Sequence, residues 1–133
     1  MLQPTVLETL TQRLAQEEKL DFALLFGSQH TGQAMEISDV DLAVYFREKP
    51  DLIALGHLYG DLEEIVGKRL DLVQLRGLEQ ENPPLAKEIT DHHTLLFCRD
   101  EESYVDFKTR AMLWYFDTAP LRAMFDKAML NHE

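Results

Sequence analysis

The feature that most constrains this chain is a Gly-Ser pair followed, at a fixed distance, by an Asp-x-Asp triplet. Gly27 and Ser28 end a short apolar segment, and ten residues separate them from Asp39 and Asp41, which open the next one. Short apolar runs bounded by glycine and polar residues are typical of buried strands. We therefore predict two strands joined by a polar loop or short helix over residues 27–38.

The second predicted strand, over residues 39–47, carries two carboxylates on one face, because Asp39 and Asp41 lie two residues apart. Neighbouring carboxylates resist joint ionisation unless a cation lies between them. Magnesium prefers oxygen ligands and often binds one or two carboxylates together with substrate phosphates. Asp71, in a predicted third strand over 69–75, can join the cluster if that strand neighbours the second. Three carboxylates can hold two magnesium ions for in-line phosphoryl displacement.

Gly27 and Ser28 supply the complementary groups. Glycine lets the backbone approach a ligand closely, and the free N–H groups of a following short helix would point at an incoming phosphate. The Ser28 hydroxyl can add a hydrogen bond. A Gly-Ser pair alone is an ordinary turn, and an Asp-x-Asp triplet alone is usually a solvated loop. Together they indicate a triphosphate held between a backbone cradle and a metal pair.

The remaining sequence predicts a mixed α/β fold with a helical tail. Apolar spacing predicts helices over residues 5–18, 51–66 and 85–91. A fourth strand is predicted over residues 94–98. The tail is rich in aromatic and methionine side chains and is interrupted near Ala119 and Pro120. We predict one domain over 1–133, with a core at about 5–98 and a tail at about 100–131. The tail either belongs to the core or forms an interface.

Charge and composition narrow the class of protein. The formal net charge is −11, which argues against nucleic-acid binding through a basic face. An acidic chain suits a basic protein partner, although solubility is the better explanation of the charge taken by itself. No apolar run approaches the length of a membrane span, and the start shows no signal peptide. With Cys98 as the one cysteine, we expect a cytoplasmic protein.

At these residues the sequence resembles the nucleotidyltransferases of the DNA-polymerase-β-like superfamily. The match consists of Gly27-Ser28, the ten-residue gap and Asp39-Val40-Asp41, with Asp71 where that family carries its third carboxylate. The size is similar to the minimal nucleotidyltransferases, which include MntA-type antitoxins paired with HEPN-domain ribonuclease toxins.

The resemblance implies a small mixed sheet flanked by helices and an adenylyltransferase that moves AMP from ATP to a tyrosine of the toxin. It implies that Asp39, Asp41 and Asp71 are catalytic ligands of two Mg²⁺ ions, for which Mn²⁺ can substitute. It further implies that Gly27 and Ser28 bind the nucleotide.

One position departs from the resemblance, and three functions stay open. Many relatives carry arginine where this chain has Thr31, so Lys68 and Arg69 are either replacement cations for the triphosphate or solvent-facing charges. The chain is an antitoxin that AMPylates its toxin, or a nucleotidyltransferase acting on a small molecule such as an aminoglycoside or on an RNA end. The third alternative is a non-catalytic antitoxin that blocks its partner by binding.

Overall fold

The computed structural model describes residues 2–27 and 39–130, in which helices flank a four-stranded sheet. The strands are β1 Leu20–Phe26, β2 Val40–Phe46, β3 Leu70–Gln74 and β4 His93–Cys98. The described helices are α1 Pro4–Ala15, α2 Leu52–Val66, α3 Leu78–Glu81, α4 Pro83–Asp91, α5 Glu101–Asp117 and α6 Ala119–Leu130. The predicted mixed α/β fold with a helical tail is confirmed.

The sheet has the order β3-β2-β1-β4 and mixes both kinds of strand pairing. β1 is antiparallel to β2 and to β4, whereas β2 and β3 run parallel. A parallel pair needs a crossover connection, which α2 provides. Asp51 caps the start of α2 by accepting a hydrogen bond from the Ile53 N–H at 3.2 Å, and Gly67 ends it with a φ of 69°. This crossover returns the chain to the sheet so that β3 starts beside the start of β2.

Apolar side chains cover both faces of the sheet. One face packs against α1 and α2, and its fully buried residues include Leu10, Leu14, Leu58 and Leu62. The other face packs against α4 and α5. There the rings of Phe22 and Tyr45 stack at 5.0 Å, and the ring of Phe107 lies 5.7 Å from that of Tyr45. Phe107 and Ala111 of α5 are fully buried, so the core predicted to end near residue 98 extends to Ala111.

The first helix ends three residues earlier than predicted, at Ala15 rather than Glu18. The Arg99 guanidinium explains the early end, because it donates hydrogen bonds to the carbonyls of Ala15 and Leu20 at 2.6 and 2.7 Å. The last carbonyls of a helix have no hydrogen-bond donor within the helix. Arg99 donates to the carbonyl of Ala15, which a further helical turn would otherwise have satisfied. The short helix α3 was not predicted, because four residues carry too little periodicity to be recognised.

The predicted interruption of the tail is confirmed, since α5 ends at Asp117 and α6 begins at Ala119. We call residues 112–128 the C-terminal arm. In the described structure no side chain of the arm is buried. Its exposed large apolar side chains are Met112, Leu113, Trp114, Phe116, Leu121, Met124 and Phe125. None of the helices that the structure describes is both long enough and apolar enough to cross a membrane.

Candidate active site

The two parallel strands bring two of the predicted carboxylates together. In the register of β2 with β3, Asp41 lies directly opposite Asp71, and Phe26 of β1 lies opposite Asp41 on its other side. The pairing is fixed just before these residues, where the Val40 N–H donates a hydrogen bond of 2.9 Å to the Arg69 carbonyl. β3 therefore neighbours β2, which is the condition under which Asp71 can join the cluster, and Asp41 and Asp71 face each other at the start of both strands.

Tyr59 of α2 holds β3 in this position. Its hydroxyl lies 3.0 Å from the carbonyl oxygen of Leu70 and 3.0 Å from a carboxylate oxygen of Glu63. The hydrogen bond to Glu63, followed by burial, raises the pKa of the Tyr59 hydroxyl above its usual value. The contact fixes the residue directly before Asp71. Sequence reasoning did not identify Tyr59, because it reads as one more half-apolar residue on the buried face of α2.

The surroundings of Asp41 disfavour the ionised form of its carboxyl group. Partial burial raises the pKa of its carboxyl group above the ordinary value, and the negative charges of Asp71 and Asp39 raise it further. A hydrogen bond to Asp71 contributes in the same direction, because the protonated Asp41 can donate to its neighbour. The site therefore favours either a shared proton or a cation between Asp41 and Asp71.

Gly27 ends β1 against the Asp41 side chain. Its φ is 71°, a conformation that residues with a Cβ rarely adopt. A Cβ at this position would approach Oδ2 of Asp41 more closely than 3.0 Å and would lie 3.2 Å from its Cγ. Sequence analysis assigned Gly27 to close approach of a ligand. The structure adds that Gly27 leaves room for the Asp41 carboxylate of the next strand.

Asp39 lies just before β2, which begins at Val40 rather than at Asp39 as predicted. Its Oδ2 is 3.8 Å from Nε of Arg69, and the two side chains are 42% and 75% exposed respectively. The structure therefore places Arg69, one of the two open candidates, beside Asp39. The predicted nucleotide-binding residue Ser28 and the departing residue Thr31 lie outside the described residues.

The chemistry of the donor set fits magnesium, because it consists of carboxylate oxygens and a cation would offset the repulsion within the facing pair. As the side chains stand, no three His, Cys, Asp or Glu residues in the described ranges are grouped closely enough to hold a metal ion. Asp41 and Asp71 form the facing pair, and Asp39 is turned toward Arg69. The assignment of all three as ligands stays a prediction.

Comparison with known proteins identifies relatives of the whole fold and of this site. Residues 8–102 match the protein family described as Polymerase beta, Nucleotidyltransferase. Over 55 residues the chain is 44% identical to the protein adenylyltransferase MntA of Thermococcus cleftensis, a match that covers 41% of this chain. It spans 56% of the length of that relative, so the similarity to it is partial.

Two solved structures are similar over nearly the whole chain. A chain in the crystal structure of a toxin–antitoxin with AMP-PNP has a TM-score of 0.75 and 25% identity, covering 96% of this chain and 99% of that one. A chain in the structure of a tri-AMPylated Shewanella oneidensis HEPN toxin in complex with MNT antitoxin has a TM-score of 0.75 and the same coverage. Its identity is 23%, so it supports the fold alone.

Proposed function

This chain belongs to the Polymerase beta, Nucleotidyltransferase family, and on that premise we propose that it transfers AMP from ATP to a tyrosine of a HEPN-domain ribonuclease toxin. On this proposal it is the antitoxin of the pair. The observation that carries the chemistry is the facing of Asp41 and Asp71 beside the left-handed Gly27. The similarities to MntA and to a toxin–antitoxin structure containing AMP-PNP support the substrate and the partner.

The residues divide the reaction between them. Asp39, Asp41 and Asp71 would hold magnesium, which neutralises phosphate charge and aligns the reacting oxygens when bound. Gly27 and Ser28 bind the triphosphate. Asp71 accepts the proton of the attacking tyrosine hydroxyl, whose oxygen forms a bond to the α-phosphorus of ATP. The bond from that phosphorus to the oxygen bridging it to the β-phosphorus breaks, and pyrophosphate leaves.

The C-terminal arm and the net charge support a protein partner. Seven large apolar side chains of the arm are exposed, and adjacent exposed apolar side chains typically mark an interaction surface. The formal net charge of −11 is complementary to a basic partner. We place the pair in the cytoplasm, where ATP and a ribonuclease target are available.

Isotope position in ATP tests the proposed transfer. The chain is incubated with a candidate HEPN-domain ribonuclease, magnesium and ATP labelled at either the α- or the γ-phosphate. We expect label on the partner from α-labelled ATP alone, because γ-phosphate leaves with pyrophosphate. Label from γ-labelled ATP, or transfer that is undiminished by a chelator, contradicts the proposal. Label on RNA or on a small molecule instead of the partner would support the alternative acceptors.

A variant pair connects the transfer to the site. Asp41→Asn removes a carboxylate of the facing pair and should abolish most of the labelling. Asp61→Asn is the matched control, because it makes the same chemical change on α2 rather than at the facing pair. The Asp61 carboxylate is exposed and forms an ion pair of 2.9 Å with Arg13. It should label the partner as the unmodified chain does. Equal labelling by both variants would remove Asp41 from the reaction.

A further inference from the structure

Arg69 combines a fixed backbone with a side chain that is free to reorient. Its carbonyl oxygen accepts the hydrogen bond from the Val40 N–H that sets the register of β2 and β3. Its side chain is 75% exposed and touches the site through one ion pair, 3.8 Å long, with Asp39. The residue is therefore held beside Asp39 while its guanidinium group remains accessible.

The negative charges of the site favour a protein cation beside Asp39, in addition to magnesium. Asp39, Asp41 and Asp71 are all acidic, and a bound triphosphate adds several further negative charges. In the ranges that the structure describes, Arg69 is the one lysine or arginine in an ion pair with any of these three carboxylates. A planar guanidinium group matches two phosphate oxygens at once, which makes arginine well suited to this task.

Resting on the proposed nucleotidyl transfer, we propose that Arg69 is a substrate-positioning residue that exchanges Asp39 for the β- or γ-phosphate of ATP. The exchange costs little, because an exposed ion pair at 3.8 Å contributes almost nothing to stability. When Asp39 turns to its ligand role, the guanidinium group loses its carboxylate partner and is available to the phosphates. The Arg69–Asp39 pair is on this account the resting arrangement of the nucleotide-free chain.

Direct nucleotide binding tests this assignment, using calorimetric titration of the full chain with ATP or with AMP in the presence of magnesium. Arg69→Ala should weaken ATP binding about tenfold or more, the size expected for a lost charge-assisted hydrogen bond. AMP affinity should change by less than about twofold, because AMP lacks the β- and γ-phosphates. Arg69→Lys, which keeps the charge but not the fork, should recover part of the loss.

Lys19→Ala is the matched control, because Lys19 is 68% exposed and forms an ion pair of 3.5 Å with Glu48 at the opposite end of the sheet. It should bind ATP normally. Unchanged ATP affinity in Arg69→Ala, an equal loss for AMP, or an equal loss in Lys19→Ala would each overturn the assignment. Failure of the unmodified chain to bind ATP would instead contradict the proposed function itself, so the two failures are distinguishable.

Discussion

Replacing Gly27 by alanine should affect the chain in two ways that can be measured separately. It should lower stability through the backbone conformation and lower the transfer rate through the contact with Asp41. The φ of 71° puts alanine in the left-handed region, which costs a residue with a Cβ about 1–2 kcal/mol. At about 2.1 cal/mol/K of unfolding entropy per residue, a chain of 133 residues should lose about 4–7 °C in melting temperature. This loss is moderate, so Gly27→Ala should still fold.

The transfer rate should fall by more than the moderate loss of stability alone would explain. The new Cβ would overlap Oδ2 of Asp41, which lies at the free end of a side chain and can move aside. Restoring an ordinary contact displaces that oxygen by roughly 1 Å, and a displacement of this size can cost about 100-fold in rate. Single-turnover transfer to the partner should therefore fall about 100-fold.

Gly67→Ala provides the matched control. Gly67 has a φ of 69°, nearly that of Gly27, but a Cβ there meets nothing within 4 Å. It should lower the melting temperature by a similar amount and leave transfer unchanged. If Gly27→Ala transfers AMP normally, the close contact with Asp41 has no part in catalysis. If Gly67→Ala loses as much activity, general destabilisation explains both variants.

Three further predictions follow from the site and the arm. Because the folded-state pKa of Asp41 is raised, its ionisation should make the metal-free chain less stable as pH rises through that pKa. Asp41→Asn should lack this contribution and should melt at a higher temperature than the unmodified chain at neutral pH. An equal pH dependence of the two melting temperatures would refute this. Asp71→Asn should keep ATP affinity within a few-fold by titration while transfer falls by about 10²–10⁴, and near-normal transfer would remove Asp71 from the site. Replacing Trp114 and Phe125, which are 39% and 63% exposed, by serine should weaken co-purification with the HEPN partner without changing circular dichroism; loss of the fold would instead assign these side chains to the core.

The sequence was sufficient to predict the strands that carry the carboxylates, because their apolar runs are short and sharply bounded. It was sufficient to place Asp41 at the start of one strand and Asp71 in the next, whereas Asp39 lies just before the strand that it was predicted to begin. The register that brings Asp41 opposite Asp71 depends on how α2 packs under the sheet, so it could be stated only as a condition. The structure shows that this register is formed, with Asp41 opposite Asp71.

Contacts between distant parts of the chain account for what sequence reasoning missed. Arg99 binds the carbonyl of Ala15 from 84 residues away, and no local pattern near Ala15 announces the end of α1 there. The role of Gly27 in accommodating Asp41 likewise arises from strand pairing rather than from the glycine's own neighbours. The burial of Phe107 could not be separated from the exposure of Trp114, because both lie in one aromatic-rich helix.

The C-terminal arm has a consequence for how such a chain can change over generations. In the described structure, side chains through Ala111 fill the core, whereas none of those from Met112 to residue 128 is buried. Substitutions at exposed positions usually alter folding free energy by less than about 0.5 kcal/mol. Mutations in the arm therefore escape the requirement for stability that restrains the rest of the chain. On the proposed function, the preference for one partner over another can change there without altering the residues proposed to bind the nucleotide.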